Sequence, residues 1–178
     1  MQIIVVYESG ANPPTDYLYF RTFVDAVYDR LPPIHWSPIG CGSKNNYAKV
    51  RRSVTEKVRN YAFRHPKEPT FVICAFDTDD GREGARYNEG IQAFCASNGY
   101  ELVWMHRDVE EVFLQRSLTP KEKVKEAKRY ATCPHEGLRH EPRFSRESFH
   151  GSPYGVSNLR IVMDRVFTRC EERPILPL

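Results

Sequence analysis

Two short runs of the chain are apolar throughout but for an opening threonine in the second, and both stop at an acid. Residues 3–7, Ile-Ile-Val-Val-Tyr, run into Glu8, and residues 70–76, Thr-Phe-Val-Ile-Cys-Ala-Phe, run into Asp77. A strand with one wet face alternates apolar and polar side chains, whereas a strand without alternation must be covered on both faces. Parallel sheets have that property, because the connections between their strands place helices above and below. Such runs, if helices separate them, therefore demand an α/β layered fold.

The intervening sequence supplies the helices. After Asp16, a suitable cap, Tyr17, Phe20, Phe23, Val24, Val27 and Leu31 recur at helical spacing until Pro32-Pro33 ends the pattern. Residues 34–39 predict a short strand, which Pro38 assigns to an edge or ends early. Over residues 46–64, Tyr47, Val50, Val54, Val58 and Tyr61 make an apolar stripe with Lys49, Arg52 and Arg59 on the opposite side. Residues 85–96 predict a helix closed by Asn98-Gly99, and residues 100–105 a further strand. Residues 108–115 read as helical, Thr119-Pro120 opens a charged helix to about residue 130, and residues 156–170 form the last helix. Residues 132–153, rich in Pro, His, Arg, Gly and Ser and without period, read as a long loop or mobile flap. Arg139, Arg143 and Arg146 on that flap are placed to close over a bound polyanion.

The expected fold is thus α/β and Rossmann-like: a mostly parallel sheet with helices on both faces and a helical C-terminal extension. Residues 1–115 form its core, and residues 116–178 an extension packed on the same domain.

Composition narrows the function. A hydrophobic fraction of 40% with 28% charged residues excludes disorder. No apolar run approaches the roughly 20 residues of a membrane helix, and the first residues lack the basic and small-residue features of a signal peptide. A cytoplasmic protein without a membrane partner is expected. The five cysteines are odd in number and widely spaced, as reduced thiols are, and Cys133 with His135 and His140 lacks zinc-ligand spacing. Net charge is only +3, yet between Lys44 and Lys67 eight Lys or Arg accompany one acid, Glu56. Charge so local implies an anionic partner, and Lys49, Arg52 and Arg59 are the candidate nucleic-acid contacts.

Open parallel sheets bind ligands beyond the carboxyl ends of their strands, where Glu8 and Asp77 fall. In Phe76-Asp77-Thr78-Asp79-Asp80, Asp77 and Asp79 project to one side if the backbone stays extended. Three carboxylates crowded at one edge repel one another unless protonated or neutralised, and oxygen-only ligands suit Mg²⁺, Mn²⁺ or Ca²⁺. Asp80 and Gly81 fit a turn or helix cap, and Glu110 and Glu111 a first-turn complement to a helix dipole.

Three segments in order, Val5-Val6-Tyr7-Glu8-Ser9-Gly10, Phe76-Asp77-Thr78-Asp79-Asp80 and Val109-Glu110-Glu111-Val112-Phe113-Leu114, resemble the Toprim fold. The likeness is to the small RloB-like Toprim proteins found with prokaryotic defence systems, and it covers residues 3–115. It implies that Glu8 is a general acid/base or metal ligand, Asp77 and Asp79 are metal ligands, and Glu110 is a further acidic site residue. It also implies a Mg²⁺- or Mn²⁺-dependent nuclease acting on DNA or RNA, in anti-phage defence, with a partner ATPase. Two departures stand out: Ser9 separates Glu8 from Gly10, with Ala-Asn-Pro-Pro before Thr15-Asp16, and Gly81 follows Asp79 too soon for Asp-x-Asp-x-x-Gly. An Asp-x-Asp phosphatase, with Asp77 as nucleophile and Asp79 as acid, leaves Glu8 idle. A receiver-like domain wants paired acids after its first strand, which Glu8-Ser9 does not supply. A non-catalytic Toprim scaffold docked on a partner is the reading from another class.

Overall fold

The computed structural model of the protein describes residues 1–8, 15–28, 33–78, 81–133, 137–147 and 155–171. Strands β1 (Gln2–Tyr7), β2 (His35–Gly40), β3 (Thr70–Asp77) and β4 (Glu101–Met105) form one sheet in the order β2-β1-β3-β4. Every neighbouring pair is parallel. Helices α1 (Thr15–Val27), α2 (Arg51–Arg64) and α3 (Gly81–Asn98) lie between successive strands. After β4 come α4 (Val109–Leu114), α5 (Pro120–Thr132) and α6 (Leu159–Glu171).

The strand pleat sorts the apolar runs into two cores. Ile3, Val5 and Tyr7 of β1, with Ile73 and Ala75 of β3, join the core beneath α1, α5 and α6. Ile4 and Val6, with Cys74 and Phe76, join the other beneath α2 and α3, through Val54, Ile91 and Cys95. All six residues of β1 are buried, as its lack of alternation requires. Right-handed crossovers place a helix on opposite faces when the chain moves in opposite directions across a sheet. The chain moves one way from β1 to β2 and the other way through β3 and β4. Accordingly, of the crossover helices α1, α2 and α3, α1 alone packs on its face.

Both sheet edges are managed. Strand β2 is an edge strand, which lets it hold Pro38 without losing a ladder bond on both sides. At β4, Asn158 imitates a strand: its Oδ1 accepts from the Trp104 N–H at 2.8 Å and its Nδ2 donates to the Leu102 carbonyl at 3.0 Å. An antiparallel bridge between Met105 and Ser157 extends this cover.

Several boundaries differ from the sequence reading. The helix expected over 46–64 begins earlier, as a 3-10 segment (Lys44–Val50) capped by Ser43, and the last helix begins later, at Leu159, because Val156 and Ser157 are engaged with β4. The mobile flap is a correction of substance over residues 137–147. That segment holds two 3-10 turns, and Phe144 is fully buried, its ring 4.5 Å from Phe23 and 5.2 Å from Phe113. It is therefore an anchored strap on the α1 and α6 side. Arg139, Arg143 and Arg146 ride on it, across the sheet from the basic helix, and not on a free lid. No helix among the described residues is long and apolar enough to cross a membrane.

Candidate functional site

The strand order reverses between β1 and β3, and the crevice at a switch point opens at the carboxyl ends of those strands. Tyr7 stands opposite Ala75, so Glu8, just past β1, and Asp77, the last residue of β3, flank that crevice. Asp77 continues the series Ile73, Ala75 and so belongs to the α1 and α5 face. It is partly buried.

Four acids from three elements bear on Asp77. Burial, and then the charges of Asp16 on α1, Glu8, Asp108 and Glu110 on α4, hold its carboxyl well above the usual carboxylate range. Asp108 is also the α4 cap, accepting from the Glu111 N–H at 2.8 Å. Glu110 is 0% exposed; burial lifts its pKa against the opposing bond from Lys123, whose Nζ lies 2.8 Å from Oε2. For Lys123, burial would lower the pKa, but Glu110, Asp108 and Asp77 together raise it above the usual lysine value. A second cation stands at the other side: Lys44, 4% exposed, donates to the Asp77 carbonyl at 2.5 Å and to Asn88 Oδ1 at 2.7 Å, and lies over the Trp104 ring.

The turn after β4 is tied to the same edge. Thr78 Oγ1 accepts from the Arg107 N–H at 2.9 Å and lies 3.1 Å from His106 Nδ1. Arg107 holds φ 80°, a conformation that a non-glycine residue keeps only when its surroundings impose it.

The fold thus brings Glu8, Asp77 and Glu110 to one edge. Asp79 lies outside the described residues. Among the described residues no group of three or more His, Cys, Asp or Glu side chains stands ready to hold a metal ion. The donor chemistry nevertheless suits Mg²⁺ or Mn²⁺: the donors are oxygens, Asp77 resists ionisation without a counter-charge, and Mg²⁺ commonly uses one or two carboxylates with waters and substrate phosphates.

Lys49, Arg52 and Arg59 are exposed and line a shallow groove of about 700 Å³ with Arg51, Thr55 and Glu56. Lys49 Nζ donates to Asn46 Oδ1 at 2.7 Å. Sequence reasoning missed Lys44, Asp16, Asp108 and Lys123 as site residues. For Lys123 a signal existed: it falls four and seven residues before the buried Ala127 and Tyr130, on the inward stripe of α5. Compared with known proteins, the chain matches no family model, no curated protein and no solved structure.

Proposed function

We propose that this protein is a divalent-metal-dependent nuclease, hydrolysing phosphodiester bonds in DNA or RNA, of the RloB-like Toprim type that its motifs resemble. One observation carries the reading: at the switch point of a parallel sheet, Asp77 ends β3 beside the end of β1 at Glu8, and burial with the charges of Asp16, Glu8, Asp108 and Glu110 holds its carboxyl above the usual range. Such a carboxylate is best satisfied by a cation. Glu8, Asp77 and Asp79 would hold Mg²⁺ or Mn²⁺, and bound there the ion neutralises phosphate charge and lowers the pKa of a water. Lys44 fixes the end of β3 through the Asp77 carbonyl, and Lys123 holds Glu110 beside it. The groove along Lys49, Arg52 and Arg59 supplies sequence-independent contacts to phosphates.

The free thiols of Cys41, Cys74, Cys95 and Cys133 support a reducing, cytoplasmic setting for this role. A partner ATPase and a part in anti-phage defence belong to the same proposal and rest on the resemblance. The Asp-x-Asp phosphatase reading is weaker, since Glu8 bears on Asp77 and is not idle. A non-catalytic scaffold is favoured by one observation, the lack of a three-ligand cluster among the described residues. The deciding experiment is cleavage of single- and double-stranded DNA and RNA by purified protein with Mg²⁺, with Mn²⁺ and with chelator. Cation-dependent cleavage abolished by Asp77→Asn supports the nuclease. Nucleic-acid binding without cleavage under any of these conditions replaces it with the scaffold.

A further inference from the structure

Phe63 is 89% exposed and Tyr87 45% exposed, and among the described residues these are the only large hydrophobic side chains left so open to water. Phe63 lies near the end of α2, whose buried side is formed by Val54 and Tyr61. At 3.6 residues per turn, Phe63 falls about 180° from Val54, about 20° from Arg52 and about 40° from Arg59. The ring therefore stands on the outer line of the basic stripe and not on the packed side. The helical rise puts it about 6 Å beyond Arg59 and about 16 Å beyond Arg52. Arg64 and Lys67, both exposed, follow it, and Glu56 is the one acid on the stripe.

We propose that Phe63 is a stacking platform for an unpaired base, and that the anion on this ridge is a single nucleic-acid strand with its phosphates on Lys49, Arg52 and Arg59. This rests on the nucleic-acid reading above and narrows it to a substrate class. Within a duplex both faces of each base are covered by neighbours, so a ring projecting from a helix surface finds a bare base only on an unpaired strand. Exposed cations along a groove combined with an open aromatic ring are the composition of single-strand grooves. A second copy of this chain is a poor occupant, because it would set one basic stripe against another.

The path also leads somewhere. Val50 and Arg51 are both right-handed helical, so the 3-10 segment runs directly into α2. Lys44 at its start touches Asp77 at the carboxyl edge of the sheet, while Tyr61 near its end stacks on His35, the first residue of β2, at the amino edge. A strand stacked on Phe63 and laid along the cations runs toward the carboxyl edge, where Lys44 meets the Asp77 carbonyl.

The test is fluorescence anisotropy, in chelator so that nothing is cleaved, using labelled homopyrimidine DNA and RNA of about twelve nucleotides, within the span that single-strand grooves occupy. The comparison is a duplex of equal length. Wild type should prefer the single strand. Phe63→Ala should weaken single-strand binding about tenfold, the worth of one base stacked on an aromatic ring, and leave duplex binding within about twofold. Phe63→Trp should restore it. Since Phe63 is outside the packed side, unchanged thermal unfolding and elution volume should accompany the loss. Unchanged binding by Phe63→Ala while Arg59→Glu weakens it overturns the platform and leaves the nucleic-acid reading standing. No binding by wild type overturns both. A change in elution volume for Phe63→Ala overturns the proposal in favour of self-association.

Discussion

Removing the Lys123 ammonium should destabilise the protein by about 3 kcal/mol near pH 7, because it strands a buried charge. Lys123 Nζ is 2.8 Å from Glu110 Oε2, and Oε1 of the same fully buried carboxylate makes no hydrogen bond. At an effective dielectric near 20, charges at that separation attract by about 6 kcal/mol before desolvation is subtracted. Breaking a buried pair by deleting one partner costs about 3–5 kcal/mol, and the 35% exposure of the Lys123 side chain puts this pair at the lower end. For a chain of 178 residues that is a fall in Tm of roughly 6–12 °C. The pH dependence has a definite sign. Glu110 titrates above its ordinary value because burial outweighs its bond to Lys123, so its contribution is complete below the unfolded pKa and is lost as pH rises through the folded one. Lys123→Ala raises that folded value further, so the deficit should be small near pH 4 and full near pH 7. Adding Glu110→Gln should recover most of it by removing the stranded charge. Urea unfolding of the single and double variants at both pH values measures this, with unchanged slopes licensing the comparison. A loss under about 1 kcal/mol, an equal loss at both pH values, or no recovery in the double variant would refute the argument.

Three further outcomes are expected. Asp77→Asn should stabilise the cation-free protein at neutral pH, by about 1.4 kcal/mol for each pH unit that its folded pKa exceeds the unfolded one. Wild type should lose stability across that interval, the Asp77→Asn variant should not, and Mg²⁺ should raise the melting temperature of wild type alone, as differential scanning fluorimetry will read. Reversing Lys49, Arg52 and Arg59 to Glu should weaken binding to all sequences alike and reduce the salt slope by about 2 for three single-strand phosphate contacts, measured by titration in rising NaCl. Gly155→Ala should cost about 2 kcal/mol or more in urea, since Gly155 has φ +77° and a Cβ there would meet the Glu111 carbonyl oxygen at 2.7 Å.

The elements of the sheet were legible because their signals are local. An apolar run without alternation fixes burial on both faces, and β1 and β3 follow from it directly. Pro38 marked an edge strand for the same kind of reason, one missing donor. The strap at 137–147 was not legible, because what orders it is distant in sequence and without period: Phe144 packs on Phe23 and Phe113, Leu138 is buried, and Arg143 and Arg146 share backbone bonds with Ser157. At the site, Glu8 and Asp77 could be read as strand ends. Lys44 and Asp16 could not, since each reaches the crevice from an element whose placement depends on which face its crossover takes. Lys123 hid among Lys121, Lys125 and Lys128, which share its type and not its stripe.

The sheet separates two electrostatic tasks that would interfere on one surface. Alternate residues of β3 send Ile73, Ala75 and Asp77 toward α1 and α5, where acids gather, while Cys74 and Phe76 support α2 and α3 on the other face, where the basic stripe faces water. A base that shares the acidic face pairs there, as Lys123 does with Glu110, whereas Lys49, Arg52 and Arg59 stand exposed on the other face. The two faces meet at the carboxyl edge, where the 3-10 segment Lys44–Val50 joins them, with Lys44 on the Asp77 carbonyl and Lys49 at the head of the stripe. A polyanion on the stripe would then approach the acids end-on, where their repulsion is largest unless a cation is present. Under the nuclease reading, cation and substrate should therefore bind with positive coupling: Mg²⁺ affinity rises when the strand is bound, and strand affinity for the crevice rises by the same factor when Mg²⁺ is bound.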